Sequence, residues 1–216
     1  MAGWFEPMVR QRARIRFRKQ GDLRLIGHRD LVRLLERLFR RAGLKLGRSE
    51  GFHPKPRMSF PAALALGIEG LEEVMEVELA ETFSDEELLG RLQRHAVAGL
   101  SFLSIEALPP GTGKARLRSA TYRMSVPPER RAEAAERIAA LLADPHGCIP
   151  RAGRPSPVAL RPAVEELWLD DGVLGMRLGV TGRAAAGPRD LLAALGLDDL
   201  EKAAAGLVRS QVELAP

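Results

Sequence analysis

Two histidines stand among arginines in the first sixty residues, and imidazole is the side chain best matched to proton transfer near neutral pH. His28 has Asp30 two residues on, which sets a carboxylate beside an imidazole at the start of a helical pattern. His53 lies in Ser49-Glu50-Gly51-Phe52-His53-Pro54-Lys55-Pro56-Arg57, where Pro54 and Pro56 stiffen the chain and Gly51 permits a tight approach. If this loop folds back onto the helix, His28 and His53 form an acid–base pair, or a metal site completed by Asp30 or Glu50. If it does not, both rings serve hydrogen bonding and structure. The expectation carried forward is a candidate catalytic set of His28, Asp30 and His53 with no bound metal and no cofactor. Ser49, Glu50, Gly51, Phe52, Pro54 and Pro56 are the expected loop or pocket residues, and Phe52 is the one placed to stack or wedge.

These residues sit in a strongly basic window. Between Met8 and Arg57 there are sixteen Lys or Arg and four Asp or Glu, a net of +12, whereas the whole chain is only +5. Everything outside the window therefore sums to −7. Fixed cations on a mildly acidic body read as a docking surface, and nucleic acid is the commonest partner because cations release counterions from a phosphate backbone. The competing reading is an arginine-rich solvated face. Arg14, Arg16, Arg18, Arg33, Arg37 and Arg41 are the expected phosphate contacts, while Lys19, Lys55 and Arg57 line a more selective pocket with the two histidines and Asp30. Aromatics make up 5% of the chain, too few to favour recognition by several stacked rings.

Other chemistries are narrowed by composition. Cys148 is the one cysteine, so an intramolecular disulfide, a four-cysteine zinc site and a cysteine-held iron–sulfur cluster are excluded for this chain alone. Gly111-Thr112-Gly113-Lys114 echoes a phosphate loop but lacks the full GxxxxGK[ST] order, and it reads as a linker. Arg151-Ala152-Gly153-Arg154-Pro155 reads as a basic connector, and His95 and His146 as surface and turn residues. Trp4, Trp168 and Tyr122 are core candidates. No apolar run is long enough to span a bilayer and no signal-like core opens the chain, so a soluble, cytoplasmic protein with no membrane partner is expected. Oligomeric state is open.

The elements that must position these residues follow from periodicity. Arg12 to Arg18 alternates strictly, with Ala13, Ile15 and Phe17 on one side and arginines on the other, as a half-buried strand does. Leu31, Leu34, Leu35, Leu38, Phe39 and Ala42 recur at helical spacing from His28, and Gly43 is the stop. Met58 to Leu66 and Glu73 to Glu81 read as strands, Ser84 caps a helix to about Ala98, and Phe102 to Leu108 is a strand. After Pro109-Pro110-Gly111-Thr112-Gly113 the order repeats. Ser119 to Val126 is a strand and Pro128 to Ala143 a helix. Val158 to Leu169 and Val173 to Val180 form a hairpin through Asp170-Asp171-Gly172, and a helix from Pro188 to Leu195 precedes a strand from Leu207 to Leu214. The expected fold class is α+β, two tandem ferredoxin-like (βαββαβ) units with antiparallel sheets, spanning 8–109 and 115–216.

Arg14 to Arg24, Gly27-His28-Arg29-Asp30-Leu31-Val32-Arg33, Glu36-Arg37 and Arg40-Arg41-Ala42 resemble the radical SAM-associated family of unknown function, domain of unknown function 2344. The likeness continues through Ser49 to Phe60 and Ala63 to Ile68, with Glu72 or Glu73 where the family tends to have an acid. This chain has Gly27 where many members have Ser. The resemblance implies a protein found alone or fused to a radical SAM enzyme, with genes near those for an RNase E/G-type nuclease and ribosomal proteins. With one cysteine, the chain would rely on a separate radical SAM enzyme for cluster chemistry. The leading expectation is a non-catalytic module that binds RNA or ribonucleoprotein, or presents a substrate. Two alternatives stand beside it. One is a metal-independent RNA-processing endonuclease using His28 or His53, as in the architecturally similar CRISPR-RNA-processing enzymes. The other is a protein–protein adaptor docking its basic face on an acidic partner.

Overall fold

The alternating arginine segment becomes a strand flanked on both sides by others, which fixes where each of its side chains points. In the computed structural model, which describes residues 9–50, 52–149, 157–180, 186–202 and 206–216, the fold is mixed α+β. The chain divides into two units, Met1–Arg116 and Leu117–Pro216. Gly51, Trp4 and the basic residues Arg151 and Arg154 lie outside the described residues.

In the first unit, β1 is Gln11–Lys19. Ala13, Ile15, Phe17 and Lys19 are buried on one side, and Arg12, Arg14 and Arg16 are half-buried on the other. A 3-10 turn at Gly21–Leu25 leads to α1, His28–Arg41, whose Leu31, Leu35, Leu38 and Phe39 pack onto the buried side of β1. Gly43 ends α1 with a φ of +71°, and Leu44 N–H donates to Phe39 O while Gly43 N–H donates to Arg40 O. That pair of bonds satisfies two terminal carbonyls in a conformation that favours glycine.

The chain then makes a pairing excursion that the periodicity does not foretell. Leu46 bridges Leu79 and Arg48 bridges Pro56, so residues 46–50 and 52–57 stand as the two arms of an irregular hairpin. The expected strand Met58 to Leu66 shrinks to β2, Met58–Ser59, because Pro61 follows without an N–H to donate and the chain bends there. β3 is longer than the alternation suggested, Glu69–Leu79.

Helix α2 spans Asp85–Arg94, with Ser84 Oγ accepting from Glu87 N–H at 3.1 Å. It stops short of Ala98 because the chain turns, Leu100 N–H donating to Val97 O, to start β4 at Leu100–Leu108. The sheet order in this unit is β4-β1-β3-β2, antiparallel throughout.

In the second unit, β5 is Leu117–Ser125 and α3 is Pro128–Ala143. A two-stranded ribbon pairs β6, Cys148–Ile149, with β7, Val158–Ala159. The expected single strand from Val158 to Leu169 is divided by a 3-10 turn at Arg161–Ala163, where Pro162 removes a ladder donor, and it resumes as β8, Val164–Asp170. The turn into β9, Val173–Gly179, places Asp171 at φ 47° and Gly172 at φ 75°, the two left-handed residues of a tight hairpin. Helix α4 is Pro188–Ala194, an unforeseen short helix α5 is Asp198–Lys202, and β10 is Val208–Leu214. The sheet order is β10-β5-β9-β8, again antiparallel.

Candidate functional site

The register of β1 decides which of its arginines face a ligand. Arg14 lies opposite Glu76 on β3 and opposite Glu106 on β4, on the side of the sheet away from α1. Its guanidinium reaches Glu76 at 2.9 Å and Glu106 at 3.4 Å. Arg12 shares the same Glu76 carboxylate at 3.2 Å and also donates to the Thr112 carbonyl. Ala115 N–H adds a further bond to Glu76 at 3.3 Å. Glu76 is 3% exposed, so this cluster is a buried neutralisation. The Gly111-Thr112-Gly113-Lys114 segment folds onto it as a structural lid. Arg16 is 3.9 Å from Glu72. Lys19 is 1% exposed and its ammonium donates to Ile26 O at 2.9 Å, which turns its charge inward.

The rest of the basic window divides the same way. Arg24 meets Glu69, Arg33 meets Asp30 at 3.3 Å, Lys45 meets Glu81 at 2.7 Å and Arg57 meets Glu78 at 3.1 Å. Among the described residues, eight cations of the window have no carboxylate partner: Arg10, Arg18, Arg29, Arg37, Arg40, Arg41, Arg48 and Lys55. Four of them, Arg29, Arg37, Arg40 and Arg41, belong to α1, and two, Arg48 and Lys55, to the hairpin.

Those two elements enclose a groove of about 510 Å³ lined by Glu36, Arg37, Arg40, Lys45, Arg48 and Pro56, with Leu44 and Leu46 as its apolar floor. With Lys45 paired to Glu81, three guanidiniums without carboxylate partners, Arg37, Arg40 and Arg48, against the one carboxylate of Glu36 make it electropositive. A shallower concavity on the adjoining face of α1 is lined by Leu34, Arg37, Arg40 and Arg41, so Arg37 and Arg40 form a ridge shared by both.

The hairpin that supplies the far wall is held by its own backbone. Ser49 N–H donates to Lys55 O and Lys55 N–H to Ser49 Oγ, at 2.8 and 2.9 Å. Arg57 N–H donates to Gly47 O, and the Arg57 guanidinium donates to Arg48 O at 2.9 Å. Arg48 in turn donates to Pro54 O at 3.3 Å. These bonds hold Glu50, Phe52, His53, Pro54 and Lys55 at an exposed tip. Phe52 is fully exposed.

The histidines sit in different surroundings. His28 is half-buried at the first turn of α1 and packs edge-on against Phe60, ring centroids 4.9 Å apart. His53 is exposed on the tip. Among the described residues no hydrogen bond joins His28 to Asp30 or to His53, and no three His, Cys, Asp or Glu are grouped to hold a metal ion. His95 caps α2, its carbonyl receiving Arg41 at 3.5 Å, and His146 sits in a turn bonded to Asp144. Cys148 is exposed.

Sequence reasoning missed Arg40, Lys45 and Arg48 as site residues. The spacing of Arg37 and Arg40 at i and i+3 places them on one helix face, a signal available in advance. Lys45 joins them from the segment just after Gly43, and Arg48 only because the hairpin folds beside α1. No helix among the described residues is long and apolar enough to cross a membrane.

No curated protein is significantly similar to the chain. Among solved structures, the crystal structure of an unknown protein from Galdieria sulphuraria is 11% identical. It covers 95% of this chain and 99% of its own at a TM-score of 0.30, too slight a likeness to bear on fold or function. The model of the family described as an uncharacterized protein conserved in bacteria (DUF2344) matches residues 12–187, which include every residue of the groove and the hairpin, and the chain belongs to that family.

Proposed function

We propose that this protein is a non-catalytic RNA-binding or substrate-presenting accessory factor that works in the cytoplasm beside a separate radical SAM enzyme. The observation that carries the RNA reading is the groove between α1 and the hairpin, where Arg37, Arg40 and Arg48 lack carboxylate partners among the described residues. On the outward side of β1 the chain's own acids neutralise Arg12, Arg14 and Arg16, whereas three of the eight unpaired cations of the window gather around this one concavity. Guanidiniums in a groove suit phosphate oxygens, which they meet with paired donors. The radical SAM partnership rests on the family resemblance, together with a single cysteine that cannot hold a cluster.

The fold reading that accompanies this is a pair of tandem ferredoxin-like units. It is supported by the shared arrangement in which the first strand of each unit lies between the third and the last, β4-β1-β3-β2 and β10-β5-β9-β8. Fluorescence anisotropy with structured and single-stranded RNA, at two salt concentrations, tests the binding function. Binding that weakens with salt and is lost in the Arg37→Ala, Arg40→Ala, Arg48→Ala triple variant is the expected result. Absent or salt-insensitive binding sinks the reading.

A further inference from the structure

We infer that the groove takes single-stranded rather than duplex RNA, with the backbone lying along Arg37, Arg40 and Arg48 and an unpaired base stacked on Phe52. This rests on the RNA reading above and narrows it. Three observations carry it.

The first is shape. The surplus cations line concavities on both sides of the Arg37 and Arg40 ridge, about 510 and about 330 Å³. A duplex presents its phosphates on a convex cylinder, which rides over such grooves. A single backbone strand enters them.

The second is Phe52. A ring left at 103% relative exposure contributes nothing to the core, and leaving it in water forgoes the burial that stabilises other phenylalanines here. Bases in a duplex are stacked on one another and offer a ring no open face, whereas an unpaired base does. Scarcity of aromatics does not count against this, since one platform suffices beside a charged track.

The third is reach and support. Phe52 is four residues from Arg48, so the ring's backbone lies at most about 14 Å from the groove wall by fully extended chain length. That spans a few nucleotides. The hairpin that sets this separation is pinned by the Ser49–Lys55 and Gly47–Arg57 bonds, and Lys55 lies exposed on the same tip to meet an intervening phosphate.

The test uses the full chain with an unstructured oligoribonucleotide and a fully paired RNA of the same length, read by anisotropy across a salt series. The single strand is expected to bind tighter. Phe52→Ala is expected to weaken it roughly five- to a hundredfold, as loss of one stacked base does, without changing the slope of log affinity against log salt. Phe52→Tyr restores most of the affinity. Arg37→Ala, Arg40→Ala and Arg48→Ala are each expected to lower that slope by about 0.7, one single-strand phosphate each. Circular dichroism of each variant establishes that it is folded. Equal affinity for duplex and single strand with a neutral Phe52→Ala overturns this inference while leaving RNA binding intact. Displacement of RNA by polyglutamate at matched charge assigns the groove to an acidic protein and overturns it too. Failure of both RNAs to bind removes the inference together with the reading it rests on.

Discussion

A guanidinium keeps its charge at any physiological pH, so its availability to a ligand depends on where the carboxylates of its own chain fall. Arg14 and Arg37 carry the same charge and differ in that respect. Glu76 faces Arg14 across the β1–β3 register, while no carboxylate of the described residues pairs with Arg37. Glu76→Gln leaves Arg12 and Arg14 half-buried with a neutral partner. It should lower stability by about 2–3 kcal/mol, measured as a shift in the urea midpoint at unchanged m-value. Arg14→Ala is expected to lower stability while leaving the RNA affinity of the folded protein within about twofold, whereas Arg37→Ala does the reverse. Equal loss of affinity in both would mean that the strand face binds RNA directly. The alternation of Ala13, Ile15 and Phe17 made the strand and its two faces legible. It could not reveal that the outward arginines are neutralised, because Glu76 lies sixty-two residues from Arg14 and meets it only when β1 and β3 pair.

At the scale of elements, the helices and long strands follow their periodicity and the connections do not. The helix at His28 is visible because its apolar stripe repeats four times before Gly43 stops it. The hairpin at 46–57 carries no such repeat, since its order comes from backbone bonds to Glu78 and across its own base. Gly99 marks one connection that sequence spacing alone could not explain. It has a φ of +81°, and a Cβ there would stand 2.4 Å from the Gln20 carbonyl, in the turn where Gln20 N–H donates to Gly99 O. Gly99→Ala should therefore cost about 2–3 kcal/mol, from left-handed strain together with the clash, and calorimetry should show a lowered Tm.

In the second unit, Arg177 on β9 reaches across Ser119 of β5 to Glu213 of β10 at 2.6 Å. The Ser119 hydroxyl, then the Arg177 guanidinium, hold the Glu213 carboxyl below the usual glutamate range. A carboxyl whose folded value lies below its unfolded value adds stability that is complete above the unfolded value and lost as pH falls through the folded one. Stability measured by urea unfolding should thus decline on acidification below the glutamate range, and Glu213→Gln should flatten that decline. An unchanged acid limb in Glu213→Gln would show that other carboxyls carry it.

Across the whole chain the net charge is unevenly shared. Residues 117–216 hold thirteen Lys or Arg and thirteen Asp or Glu, so the entire +5 belongs to residues 1–116. Within that stretch, residues 69–87 carry nine acids and no Lys or Arg. Glu69, Glu72, Glu76, Glu78 and Glu81 of that acidic run all meet cations of the basic window. The window and the run were both countable from sequence, and their sum concealed the outcome. Folding pairs the charges that face the acidic run and leaves Arg10, Arg18, four arginines of α1, Arg48 and Lys55 without carboxylate partners among the described residues, so +12 is an overestimate of the charge that a ligand meets.

This sets the salt dependence of binding. If all sixteen cations of the window met phosphates, the slope of log affinity against log salt on single-stranded RNA would approach about −11, at about 0.7 per phosphate. Three to five groove and tip cations instead predict a slope of about −2 to −3.5. A slope in that interval that falls stepwise with Arg37→Ala, Arg40→Ala and Arg48→Ala, and is unmoved by Arg16→Ala, is the result that selective neutralisation requires. A slope steeper than about −5.6, the value that all eight unpaired cations would give at about 0.7 each, would mean that the paired arginines open their ion pairs to bind, and the acidic run would then act as an internal competitor of RNA.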